Sequence, residues 1–151
     1  MFYLGLDLGK QRDYTALAIL EKPDWMHAWL QAPKTCDLLL RHLERMPLGT
    51  TYPAVVERVR RIVNSDALRG QCIVVADATG IGGPVLDMLR RAGLGCEVTA
   101  VTITGGAKER AAGTSGAPAS NAPKQDLIAG LRVVLESREL RIAAGLKEAG
   151  T

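Results

Sequence analysis

Residues 2–8 alternate strictly, with Phe2, Leu4, Leu6 and Leu8 on one side and Tyr3, Gly5 and Asp7 on the other. A period of two belongs to a half-buried strand, and this one carries a carboxylate near its C-terminal end. Gly9 to Asp13 reads as a short polar turn. Residues 14–20 predict a second strand, joined to the first as a hairpin. Lys22-Pro23-Asp24 is another turn, and Trp25 to Leu30 is read as a third strand. Residues 36–43 fit a helix or a strand, because Leu38, Leu39, Leu40 and Leu43 satisfy both periods. Met46-Pro47-Leu48-Gly49 ends that segment.

Thr51 and Pro53 are helix-start signals, and Val55, Val59, Ile62 and Val63 then fall on one helical face. This helix is expected to run to about Ala67. Residues 72–76 are a short apolar run, the mark of a strand buried on both faces. It leads into Asp77-Ala78-Thr79-Gly80-Ile81-Gly82-Gly83. A helix from Pro84 to Ala92 follows, with Gly93 as its stop, and residues 96–103 predict another strand. Strand, helix and strand with short links form a parallel crossover. Residues 105–122 are rich in Gly, Ala and Ser, the composition of a flexible or functional loop. Pro123 opens a last helix carrying Leu127, Ile128, Leu131, Val134 and Leu135, and Leu140-Arg141-Ile142 adds a short edge strand. The order predicts an α/β fold with a ribonuclease H-like mixed sheet of about five strands. The sheet starts antiparallel, continues by parallel crossovers and is flanked by helices.

The length of 151 residues suits one domain over residues 1–151. No apolar run approaches the ~20 residues of a membrane helix. Asp7, Lys10 and Arg12 interrupt the apolar N-terminus too soon for a secretory signal. A membrane location is therefore not expected. The net charge of +3 decides little, although thirteen arginines against six lysines hint at phosphate contacts. Cys36, Cys72 and Cys96 have no paired spacing, and His27 and His42 complete no zinc pattern, so reduced cysteines are expected. One Phe, two Trp and three Tyr are too few for a single-strand stacking platform.

Asp7 and Asp77 are the central candidates. Each ends a predicted central strand, and in the inferred order these two strands are parallel neighbours. One such aspartate is ordinarily a turn residue, its side chain bonding nearby backbone N–H groups. Two on adjacent strand ends repel unless a cation lies between them, and Mg²⁺ or Mn²⁺ there would act on a phosphate. Asp13 and Thr79 are candidate outer-shell groups, against the plainer reading that both belong to turns. Glu57 is placed near the start of the first long helix, where an acid favours the helix dipole. Lys10, Arg12 and Lys124 are candidate phosphate contacts near the carboxylates, against the plainer reading of solvated surface residues. Gly80-Ile81-Gly82 lacks the third glycine of a dinucleotide fingerprint, because Val85 stands there. Gly5 to Lys10 is one residue short of a P-loop, and Gln11 stands where that loop needs Ser or Thr.

Three stretches carry a resemblance: Tyr3 to Ala16, His42 to Arg45 with Leu48 to Pro53, and Val75 to Gly82 with Pro84-Val85. Ile103 to Gly106, Pro123 to Ile128 and Leu140 to Ile142 continue it in order. Together they resemble the nuclease domain of phage terminase large subunits. The resemblance implies a ribonuclease H-like endonuclease that cuts double-stranded DNA during viral genome packaging in the cytoplasm of a bacterial host. It implies a two-metal Mg²⁺ or Mn²⁺ site with Asp7 and Asp77 as ligands, and makes residues 36–43 a strand. Partners implied are a terminase ATPase or small subunit, and a homo-oligomer is a further expectation. The family's additional acidic ligand in a later helical segment has no counterpart, since no Asp follows Asp126. Glu139 and Glu148 are the substitutes available, and the C-terminal part of the fold is expected to be missing. The alternatives kept open are a non-catalytic DNA-binding or packaging-assembly module, a Holliday-junction-resolvase-like nuclease and a phosphotransferase relative.

Overall fold

A computed structural model describes residues 1–9, 13–23, 38–79, 83–105, 119–144 and 146. Its strands are β1 (Phe2–Asp7), β2 (Ala16–Glu21), β3 (Leu38–Arg45), β4 (Cys72–Asp77), β5 (Glu97–Thr104), β6 (Ala119–Pro123) and β7 (Leu140–Ile142). Its helices are α1 (Tyr52–Val63), α2 (Gly83–Arg91) and α3 (Lys124–Glu136). The strands form one sheet in the order β6-β5-β4-β1-β2-β3-β7. Only β2 runs against the rest, pairing antiparallel with β1 and β3, while the β1–β4, β4–β5, β5–β6 and β3–β7 pairs are parallel. This is the ribonuclease H-like arrangement that the element order predicts.

The sheet has seven strands among the described residues rather than about five. One addition corrects the C-terminal end of the loop expected over 105–122, of which residues 106–118 lie outside the described residues. Residues 119–122 belong to β6, whose Ala100↔Ala119 to Thr104↔Pro123 register extends the parallel sheet. Small and polar side chains hid this strand, because backbone pairing on an edge needs no large apolar residue. The other addition is β7, expected from Leu140-Arg141-Ile142 and found beside β3. Residues 38–45 form a strand, settling the helix-or-strand ambiguity. The strand expected over Trp25 to Leu30 lies outside the described residues.

α1 starts where expected. The Thr51 hydroxyl accepts from Ala54 N at 3.4 Å, and Pro53 sits in the first turn, where no N–H bond is lost. It ends at Val63 rather than near Ala67. Val55, Val59 and Val63, one turn apart each, are buried with Leu4, Leu17 and Val74 of the sheet. Leu89 of α2 joins them, so α1 and α2 seal one face. At ~1.5–3 kcal/mol for each fully buried aliphatic side chain, this face dominates the stability.

The opposite face is open. α3 has no buried residue, and Leu127, Ile128, Leu131 and Leu135 are exposed along it. Cys72 and Cys96 are free thiols. Burial pushes the Cys72 thiol up to about 11, with a smaller contribution from Cys96, so it is poorly reactive at neutral pH.

Candidate metal centre

The parallel register runs from Phe2↔Cys72 to Leu6↔Ala76. One residue further, Asp7 and Asp77 stand side by side at the strand ends, about 4.8 Å apart in backbone spacing. Paired residues of neighbouring strands face the same way, so both carboxylates lie on the open face with Gly5 and Val75. Both also border an open groove of about 330 Å³ that includes Ala18, Val101 and Leu127. The small residues Gly5, Ala16 and Ala18 leave its floor flat.

Asp7 is exposed at this edge. Partial burial, the neighbouring Asp77 carboxylate and then Asp13 all push its carboxyl above the ordinary value. Asp13 is thus close enough to bear on Asp7, although no group of three metal-ligating side chains forms among the described residues. The Asp77 carboxylate accepts the Thr79 N–H at 2.8 Å through Oδ1. That is the turn-capping bond expected of a lone aspartate. A carboxylate has about four lone-pair sites, so the bond orients Asp77 and leaves capacity for a cation.

Thr79 serves the turn. Its hydroxyl accepts from Ile103 N at 2.8 Å and lies 3.4 Å from Ile103 O, tying the end of β4 to β5. Ala78 N donates to Val101 O at 2.8 Å and strengthens the same tie. Thr79 thus braces the turn that carries Asp77.

The neck of the β1–β2 hairpin is closed by Gly9 and Thr15. Gly9 N donates to Thr15 Oγ1 at 3.1 Å, and Thr15 is buried. Thr15 O in turn accepts from Met46 N at 2.8 Å, which anchors the end of β3. A Cβ on Gly9 would collide with the Asp13 carbonyl and stand 2.5 Å from the Tyr14 carbonyl carbon. Glycine is thus required for the close approach that brings Asp13 towards Asp7.

Lys124 is exposed at the first position of α3, directly after β6. Lys10, Arg12, Gly80, Ile81, Gly82 and Glu148 lie outside the described residues. Glu139 lies between α3 and β7, and its carbonyl accepts from Leu38 N at 2.6 Å. It therefore sits at the β3–β7 edge, four strands from β4 and not beside the acid pair. Glu57 corrects an expectation, because no acid occupies the first turn of α1. It lies a turn further on, and hydrogen bonds from Arg60 and then Arg61 pull its carboxyl down to about 2.

A larger groove of about 720 Å³ lies on the other face beside α1. Its Arg41, Arg58 and Arg61 are paired with Glu21, Glu44 and Glu57, so it gathers no uncompensated charge. It includes neither Asp7 nor Asp77. The Arg58–Glu44 pair there is bidentate, at 2.8 and 3.1 Å, and His42 Nε2 lies 2.9 Å from Glu44. Burial alone would raise the Glu44 carboxyl, but bonds to Arg58 and His42 outweigh it and hold it below the ordinary value. A lowered carboxylate pKa stabilises the fold above the unfolded value, and that contribution is lost as pH falls. Arg58→Met is therefore expected to cost about 0.5–1 kcal/mol at pH 7. Urea titrations from pH 7 to pH 3 should find the difference shrinking through the carboxylate range. A constant difference would mean lost packing rather than lost charge.

Arg45 carries no site motif in the sequence. It pairs with Ala16, which pairs with Asp7, so Asp7, Ala16 and Arg45 form a row on the open face. Its guanidinium carbon stacks 4.7 Å from the Tyr14 ring centroid. The hairpin register could have revealed this row. However, the long connection between β2 and β3, residues 22–37, gives no rule for the register.

No protein-family model matches this sequence, and no curated protein matches it. Solved structures do. The human cytomegalovirus terminase nuclease domain, Mn-soaked and inhibitor-bound, is 11% identical with a TM-score of 0.54. The alignment covers 97% of this chain and 66% of that one. The Mn-soaked domain without inhibitor is 12% identical with a TM-score of 0.51, covering 97% of this chain and 64% of that one. This chain therefore spans about two thirds of those structures' length. The protein described here has the fold of that terminase nuclease domain, a ribonuclease H-like fold.

Proposed function

We propose that this chain is a divalent-metal-dependent DNA endonuclease domain of terminase type, from a phage or prophage. It would hydrolyse phosphodiester bonds of double-stranded DNA during genome packaging. The observation that carries the reading is the pairing of β1 and β4, which sets Asp7 and Asp77 on adjacent parallel strand ends. Mutual repulsion leaves such a cluster in want of a cation, and an all-oxygen donor set suits Mg²⁺ or Mn²⁺. Asp7 and Asp77 would hold the ions, and a bound ion would supply charge neutralisation and Lewis acidity at the phosphate. The Thr79 N–H keeps the Asp77 carboxylate in one orientation. Asp13 adds negative charge behind the pair and would orient water. The flat floor of Gly5, Ala16 and Ala18 admits a sugar–phosphate backbone, and Lys10, Arg12 and Lys124 would contact it. Water attacks phosphorus in line, one P–O ester bond breaks, its oxygen leaves, and no covalent enzyme intermediate forms. Contacts confined to the backbone would make binding salt-dependent and weakly sequence-selective. A terminase ATPase or small subunit, or a second copy of this chain, would be the protein partner, in the host cytoplasm.

A second reading is a DNA-binding or packaging-assembly module that retains the fold without cutting. The observation in its favour is that no group of three ligands with metal-binding geometry forms among the described residues. The test is nicking of supercoiled plasmid in Mn²⁺, Mg²⁺ or EDTA. Metal-dependent nicking that Asp7→Asn and Asp77→Asn each abolish supports the nuclease. DNA binding by a folded protein that never nicks supports the module.

A further inference from the structure

We infer that Arg45 is a DNA-backbone contact that seats the phosphate chain against the Asp7–Asp77 pair; this rests on the nuclease reading above. Arg45 ends β3 at the same edge of the sheet where β1 and β4 end, because all three strands run in one direction. The row Asp7, Ala16, Arg45 puts its Cα two strand spacings from Asp7, about 10 Å. The residue between them in the row is an alanine, which leaves the surface between the two open. Tyr14 stacks on the guanidinium at 4.7 Å, and the Nε is shielded from solvent. The head group is therefore held in place before any ligand arrives, which lowers the entropy cost of a contact. Tyr14 adjoins Asp13, so the loop that carries the third acid also holds this cation.

Such a group would offset part of the local negative charge. Asp7, Asp77 and Asp13 together repel a phosphate backbone until cations neutralise them. A fixed guanidinium on one flank and Lys124, after β6 on the other, bracket the acids along the strand ends. A duplex crossing that edge would meet positive charge on either side of the cleavage point. Arginine suits this task because its planar fork binds two phosphate oxygens at once.

The test compares Arg45→Met and Arg45→Lys with the parent protein and Asp77→Asn. Three readouts are taken: Mn²⁺ affinity by calorimetry, affinity for a 30-base-pair duplex in EDTA across a salt series, and Mn²⁺-dependent nicking. R45M should keep Mn²⁺ affinity within about twofold while binding DNA several-fold more weakly. Its salt slope should fall by about one, the signature of one lost phosphate contact. Its nicking should fall at least tenfold, and R45K should restore the salt slope and part of the nicking. A purely structural role would not change the salt slope and would not be rescued by lysine. Parental slope and nicking in R45M would overturn the proposal. Should R45M not fold, R45Q repeats the series, and unfolding of both would assign Arg45 to the fold and overturn it. If no protein nicks DNA but R45M still loses one unit of slope, the nuclease reading fails and the backbone contact stands.

Discussion

Asp7→Asn is expected to abolish Mn²⁺-dependent DNA nicking while making the metal-free protein more stable at neutral pH. Loss of an outer partner of a metal ligand already costs about 10–100-fold, so loss of a ligand should cost at least ~100-fold in cleavage. The stability gain has the opposite sign and a separate cause. Burial, Asp77 and Asp13 raise the Asp7 carboxyl. Its ionised form is therefore harder to hold in the folded state than in the unfolded one. That penalty is absent while both states are protonated and complete once pH exceeds the folded value. In EDTA at pH 7, removing the charge should stabilise by about 0.2–1 kcal/mol, since the residue is exposed and water screens the repulsion. For a chain of this size the gain is roughly 0.4–4 °C in Tm. The gain should vanish below the ordinary carboxylate range, and Mn²⁺ should stabilise the parent but not the variant. A Tm at pH 7 that falls instead, with nicking intact, would remove Asp7 from the site.

Gly9→Ala is expected to damage fold and site together. The added methyl collides with the backbone of Asp13 and Tyr14 rather than with a movable side chain. The hairpin neck must open, and the Gly9–Thr15 bond that closes it is strained or lost. Overpacking of this kind costs about 1–3 kcal/mol. Opening the neck also moves Asp13, and with it Tyr14 beneath Arg45. Nicking should therefore fall more than the stability loss explains when assayed well below the urea midpoint. Full activity in a destabilised variant would separate the neck from the metal centre. An unchanged urea midpoint would mean that the loop relaxes freely.

The sequence by itself determined the elements whose apolar period is clean. β1 alternates strictly, α1 carries valines at every turn behind a Thr and Pro start, and β4 is a short apolar run. These signals are local and follow from the strand and helix repeats. The element order then implied that β1 and β4 are parallel neighbours, so the Asp7–Asp77 pair was legible before any coordinates. The tertiary structure decided what rests on pairing between distant segments. β6 is built from small and polar residues and exists through its hydrogen bonds to β5. Residues 36–43 satisfied two periods until β2 and β7 claimed 38–45 as a strand. Glu57 lies a full turn from the helix start and belongs to its arginine neighbours. Thr79 is turned towards β5, because the Ile103 backbone offers it both a donor and an acceptor. The row from Asp7 through Ala16 to Arg45 is a matter of register alone. Register across a long connection is set by how two strands meet in space, and no local repeat in either strand encodes it.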